Sequence, residues 1–233
     1  ATATWWRKDG AVRWALVSAT LERGIDYFVE YGTQVSAPQP QGMTVTETDD
    51  AIAIDTGPLQ VTISRTRPTL LDSATVDGQA IITPEDATAN LPTVVGGDGT
   101  EYPASPDGLQ VGFFRRGPQE TVIRREGWYT SAAGERYCQF ITYTWFYAGS
   151  AAVRHDHTLV VAFDTTRNQI RDLRLAAPLG GEVVGAELAV NDAAESFAQN
   201  ALPVRVVQTA VDACAVTDTS GAPVKGARAG GWA

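Results

Sequence analysis

The chain is poor in the residues that usually announce chemistry. It has two cysteines, two histidines and one methionine in 233 residues. Cys138 and Cys214 alone do not make the disulfide framework that staples small secreted domains, and a chain this long can bury a core without one. Two buried thiols are expected, and redox logic leaves the compartment open. Cations are also scarce: 18 Lys and Arg stand against 27 Asp and Glu, a formal net charge of −9. Such a surface repels phosphate backbones and anionic membranes, so nucleic acid is not an expected partner. No apolar run is long enough to span a bilayer, so membrane insertion is not expected either. GxSxG, HExxH, CxxC, DxDxDG and phosphate-binding loops are all missing, so no cofactor or metal is implied and no catalytic residue can be assigned. A signal peptide and an initiator Met are missing too. Strand-like residues start at Ala1, which points to a mature or excised piece of a longer polypeptide.

What the chain does have is period-two alternation. In Tyr137–Tyr147, Tyr137, Gln139, Ile141, Tyr143, Trp145 and Tyr147 share one face, and Cys138, Phe140, Thr142, Thr144 and Phe146 share the other. Val153–Phe163 alternates likewise, and Ala148-Gly149-Ser150 between the two runs predicts an antiparallel hairpin. Asp9-Gly10 predicts a second hairpin, which sets Trp5 opposite Trp14 and Trp6 opposite Arg13. Further strands are expected at 27–31, 43–47, 51–55, 59–64, 74–76, 80–82, 109–115, 170–176, 204–211 and 213–216. Asn191-Asp192-Ala-Ala-Glu195 predicts a short helix limited by Pro203. The Pro- and Gly-rich stretch 84–108 reads as an irregular link between domains.

Candidate chemistry is sparse. His155 and His157 lie two apart, so both side chains leave one strand face, beside Val153, Leu159 and Val161. Such a pair can ligate a metal or supply a base, but the local pattern has no third ligand, and a hydrogen-bonded core role fits as well. Arg154 and Asp156 share the opposite face as a local ion pair. Trp5 and Trp14 form either a sugar-stacking platform or a packing pair. Arg115-Arg116 and Arg124-Arg125 flank the central hairpin. Guanidinium forks suit uronate carboxylates, although neighbours in a strand face opposite ways, so one of each pair serves any one face. The glycan-binding candidates are Trp5, Trp14, Arg115, Arg124, Arg125 and Trp128.

Four blocks are DGAVRWALV (Asp9–Val17), TGPLQVTISR (Thr56–Arg65), Glu120–Val161 with its run FYAGSAAVRHDHT, and GAPVKGARAGGWA (Gly221–Ala233). In this order they resemble the exo-rhamnogalacturonan lyase-like proteins of the PcRGLX/YetA type. The resemblance implies a RIFT-type barrel, a central β-sandwich and a C-terminal α/α toroid. The expected fold is therefore all-β: an antiparallel β-sandwich preceded by a partial RIFT-type barrel, with at most one short helix. Residues 1–83 would be the partial barrel, 84–108 the link, and 109–233 the sandwich, incomplete at its C-terminal end. The toroid has no counterpart here. A β-elimination site must neutralise a uronate, take the neighbouring proton and protonate the leaving oxygen. In lyases of this design the cleft needs the helical domain, so this chain alone is expected to be inactive. His157 and Thr158 match the family's HT pair, which fits a core strand as well as a site. The resemblance implies a non-catalytic part of a lyase-like protein that binds an acidic, rhamnogalacturonan-type glycan. The alternative is a structural or receptor-facing module of a bacteriophage tail or other surface assembly, with other subunits as partners. Secreted and virion-associated locations follow from the two readings respectively.

Overall fold

A computed structural model describes residues 42–177 without a break, together with 2–6, 12–17, 19, 21, 23–32, 34–35, 180, 185–190, 193–198, 205–210, 213–218, 220 and 222. The chain divides into two units, Ala1–Gly180 and Gly181–Ala233. It is all-β with antiparallel pairing throughout the described strands, and one short helix.

In the first unit, β1 (Thr2–Trp6) pairs with β2 (Val12–Leu16). Trp5 stands opposite Trp14 as expected, but an irregularity in the ladder sets Trp6 opposite Val12 rather than Arg13. The Asp9-Gly10 turn lies outside the described residues. The strand expected at 27–31 is corrected: that segment forms no strand among the described residues, and Phe28 and Tyr31 are 87% and 93% exposed. Alternation alone does not make a strand when no ladder is available to take its backbone groups.

Five strands follow: β3 (Thr44–Glu47), β4 (Ala51–Asp55), β5 (Leu59–Ser64), β6 (Ser73–Val76) and β7 (Gln79–Ile82). They form one open meander in that order. The β6–β7 turn holds Asp77 at φ 48° and Gly78 at φ 81°, the left-handed pair that a two-residue hairpin requires. Next comes α1 (Pro84–Ala89). Thr83 caps it, its Oγ1 accepting from Asp86 N at 3.2 Å, and Pro84 takes the first helical position, where no N–H is needed. Then come β8 (Thr93–Gly96) and β9 (Glu101–Pro103), and then the long strands β10 (Gln110–Arg116), β11 (Glu120–Thr130), β12 (Arg136–Tyr147) and β13 (Val153–Val160), one four-stranded meander. Finally β14 (Ile170–Arg174) returns to pair with β8.

The inner face of the β10–β13 sheet is covered twice. Ile123 and Phe146 join Ile52, Ile54, Leu59, Val61, Ile63 and Ala74 of the β3–β7 sheet in one apolar cluster. Tyr129, Cys138 and Phe140 join Val94 and Tyr102 of the β8–β9 sheet in another. The turns of the two large sheets are also tied: Thr56 Oγ1 donates to Ser150 O at 2.7 Å, and Gly149 N to Thr56 O at 2.7 Å.

This packing corrects the division expected at 84–108. That stretch contains α1, β8 and β9, and the residues before and after it share a single core. Proline and glycine marked turns between short elements here, rather than a linker. Gly127 shows how tight the layer is: a Cβ there would sit 2.7 Å from Cζ of Phe140. Gly127→Ala is expected to cost about 1–3 kcal/mol through overpacking, read as a lowered midpoint in urea.

In the second unit, β15 (Gly185–Val190) pairs with β16 (Ala193–Ala198), and β17 (Arg205–Ala210) with β18 (Ala213–Thr217). The helix expected from Asn191 is corrected to strand β16, whose Glu195 lies opposite Leu188. A full antiparallel ladder satisfies more backbone groups than one short helical turn.

Candidate functional site

The outer face of the β10–β13 sheet carries a group of aromatic and charged side chains in mutual contact. Its rows follow from the register. Trp128 lies opposite Gln139, Arg124 opposite Tyr143, and Val122 opposite Trp145. Across the next ladder, Tyr143 faces Asp156 and Trp145 faces Arg154. From Tyr137 to Tyr147 the odd-numbered residues of β12 are half-buried and the even-numbered ones buried, so the alternation read from the sequence assigns this face correctly.

The rings and guanidiniums hold one another. Phe114, half exposed, meets Tyr143 edge-on with centroids 4.9 Å apart, and Tyr143 lies 5.7 Å from Trp145. The Arg154 guanidinium sits 4.8 Å from the centre of the Trp145 ring and donates twice to Asp156, at 2.9 and 2.7 Å. Arg136 stacks 5.2 Å from the centre of Trp128. Arg115 donates to Glu120 at 3.2 Å through one nitrogen. Arg124 pairs with Glu126, which also accepts from Gln139 Nε2 at 2.7 Å. Cations and carboxylates thus alternate on this face, Arg115, Arg124 and Arg154 against Glu120, Glu126 and Asp156. On a chain of net charge −9, that balance leaves this face far less repulsive to an anion than the average surface.

The structure separates the sequence-derived candidates. Arg115, Arg124 and Trp128 stand on the outer face together. Arg125 does not, which corrects its assignment: it is 2% exposed and points into the sandwich. Adjacent strand residues must part, and Arg124 takes the outward place. Trp5 and Trp14 are paired along the backbone, but their side chains lie outside the described residues. The sequence reading did not name Tyr143, Trp145 or Arg154 as site residues. The signal was present, because they share the alternating face that Arg124 and Trp128 join once β11 and β12 are set in register.

Behind this face lies a polar belt between the two apolar clusters. It runs from Arg125 to Thr142 and His157, with Thr144 and His155 in the next row. His157 is hydrogen-bonded to Tyr129 Oη at 2.9 Å through Nε2 and to Thr142 Oγ1 at 2.8 Å through Nδ1. His155 Nδ1 lies 3.0 Å from Thr144 Oγ1. Burial, with Arg125 and His157 adding to it, pushes the His155 imidazole down to about 4, and burial also lowers His157. Arg125 itself is lowered to about 10 by burial, against the pull of Asp72, and its Nε and Nη2 have no hydrogen-bond partner among the described residues. Burial pushes the Cys138 thiol up to about 11, far from the thiolate that reacts. The two imidazoles therefore face inward, His157 held by Thr142 and Tyr129 and His155 by Thr144, while the outer face offers rings, guanidiniums and carboxylates. No group of three or more metal-ligating side chains occurs among the described residues.

No curated protein matches the chain. The model of one family, described as the PcRGLX-like protein central beta sandwich domain, matches residues 43–184, more than half of the chain. That span opens just before β3 and closes just before β15, so it contains both large sheets and the shared core. The chain belongs to the PcRGLX-like family and carries its central β-sandwich domain.

Proposed function

We propose that the outer face of the β10–β13 sheet binds an acidic glycan, and that this domain contributes recognition rather than bond cleavage. The observation that carries the reading is the registered array of Trp128, Tyr143 and Trp145 with Arg115, Arg124 and Arg154. Aromatic rings offer flat apolar surface to the C–H faces of pyranose rings. A guanidinium has five N–H donors in a planar fork. Arg115 uses one nitrogen on Glu120, so donors are left for a uronate carboxylate. Glu126 and Asp156 can accept from sugar hydroxyls in the same rows. The inward placement of His155, His157 and Tyr129, with the outward carboxylates Glu126 and Asp156 already paired to Arg124 and Arg154, supports binding over catalysis, since a general base must be free to reach its proton.

Calorimetric titration of the 233-residue protein with a rhamnose–galacturonate tetrasaccharide tests this. Saturable binding is expected, weakened about tenfold by Trp128→Ala, and by Arg124→Gln more at low salt than at high salt. Arg125→Met is expected to leave the affinity unchanged, since that side chain faces away. The reading fails if the acidic tetrasaccharide shows no saturable heat, or if Trp128→Ala binds as wild type does.

A further inference from the structure

The opposite broad face of the sandwich, the outer side of the β3–β7 sheet, has a different chemistry. A trough of about 440 Å³ crosses it. Two registered rows form its floor. One runs Thr46, Ala53, Thr62, Ser73, and the other Thr44, Asp55, Gln60, Thr75. Each row steps across four strands, about 14 Å at the usual interstrand spacing. Six of the eight outward positions in these rows are Thr, Ser or Ala, the others being Asp55 and Gln60, so along the first row a ligand can lie close to the sheet.

The trough has no aromatic ring and no cation in its lining. Its one carboxylate, Asp55, is already engaged, accepting from Gly57 N at 2.8 Å and Gln60 Nε2 at 3.3 Å. Thr44, Thr46, Thr62, Ser73 and Thr75 carry hydroxyls with no partner among the described residues. Thr62, Ser73 and Thr75 are half-buried, at the bottom of the trough. A hydroxyl both donates and accepts, so a row of them matches a ligand built the same way.

The charge pattern narrows the occupant. A polyanion would meet Asp55 with no compensating cation. A protein partner would want aromatic or arginine anchors at the centre of the patch, and there are none. A lipid surface would want exposed apolar groups. What remains is an uncharged, polyhydroxylated chain. We propose that this trough is a second glycan site, selective for a neutral oligosaccharide segment. It rests on the hydroxyl rows alone and does not depend on the aromatic face binding anything.

The test is titration of the same protein with cellotetraose, xylotetraose, galactotetraose and arabinotetraose, followed by amide shifts in a two-dimensional NMR spectrum. At least one tetrasaccharide should bind saturably and shift the amides of β4 and β5. Thr62→Val with Thr75→Val removes two hydroxyls at constant shape and keeps good strand formers, so the fold should survive, as a thermal melt will check. That double variant should weaken neutral binding about tenfold, while Trp128→Ala leaves it unchanged. Absence of saturable binding by all four sugars overturns the proposal. So does binding that the double variant leaves intact, or binding that Trp128→Ala removes. Loss of acidic binding alone, by Trp128→Ala, bears on the aromatic face and not on the trough.

Discussion

Between about pH 6.5 and pH 4 the protein is expected to lose about 3 kcal/mol of folding stability through His155 alone. Unfolded, this imidazole takes its proton near the ordinary value of 6.5; folded, burial and the nearby Arg125 delay it to about 4. Within that window the unfolded chain binds more protons than the folded one, so acid favours unfolding. The contribution is whole above 6.5 and is lost as pH falls through the window. His157, lowered by burial, acts in the same direction. Arg125 makes the position severe, because a protonated His155 adds a second cation beside a guanidinium that is already buried and incompletely bonded. Urea denaturation at pH 7 and pH 5 measures the effect. His155→Gln keeps a hydrogen-bonding side chain beside Thr144 and removes the titration, so its stability should vary less across the window. Parallel pH profiles for the variant and the wild type would remove His155 as the cause.

Phe146→Ala is expected to cost about 3–5 kcal/mol, the range for emptying a buried aromatic site. Phe146 is fully buried where β12 meets the β3–β7 sheet, in a cluster with Ile52, Leu59 and Ile63. Because strands before and after 84–108 share that core, the loss should appear as one transition and not two. Hydrogen exchange separates the cases. Amides of Ile52 and Val61 should lose protection together with those of Ile123. If the β3–β7 amides kept their protection in the variant, residues 43–83 would be a separate folding unit.

Much of this was legible in the residues. The alternation of Tyr137–Tyr147 assigned both faces of β12, because long aromatic and β-branched runs have few other ways to fold. The inward turn of His155 and His157 followed from the same period. Other features depended on partners far away in the chain. Nothing local says whether Arg124 or Arg125 faces out; the register with Tyr143 and Thr142 decides it. Asn191–Glu195 carries a capping pattern without forming a helix, whereas the true helix start, Thr83-Pro84-Glu85-Asp86, with both a cap and a proline, sits at the edge of a Pro- and Gly-rich stretch whose composition masks it. The arginine–aromatic face was half visible for the same reason: Trp128 and Arg124 become neighbours of Trp145 and Arg154 only across two ladders.

The order of strands bears on how the chain finds this fold. In both large sheets each strand pairs with its neighbour in sequence. Each hairpin can zip up soon after its turn closes, with little loop entropy lost at any step. Among the described strands the one ladder between elements far apart in sequence is β14 with β8, which joins Ile170 to Gly96. That ladder has to wait for the intervening meander, so the three-stranded sheet is the natural last step of assembly and the first to open when the protein breathes.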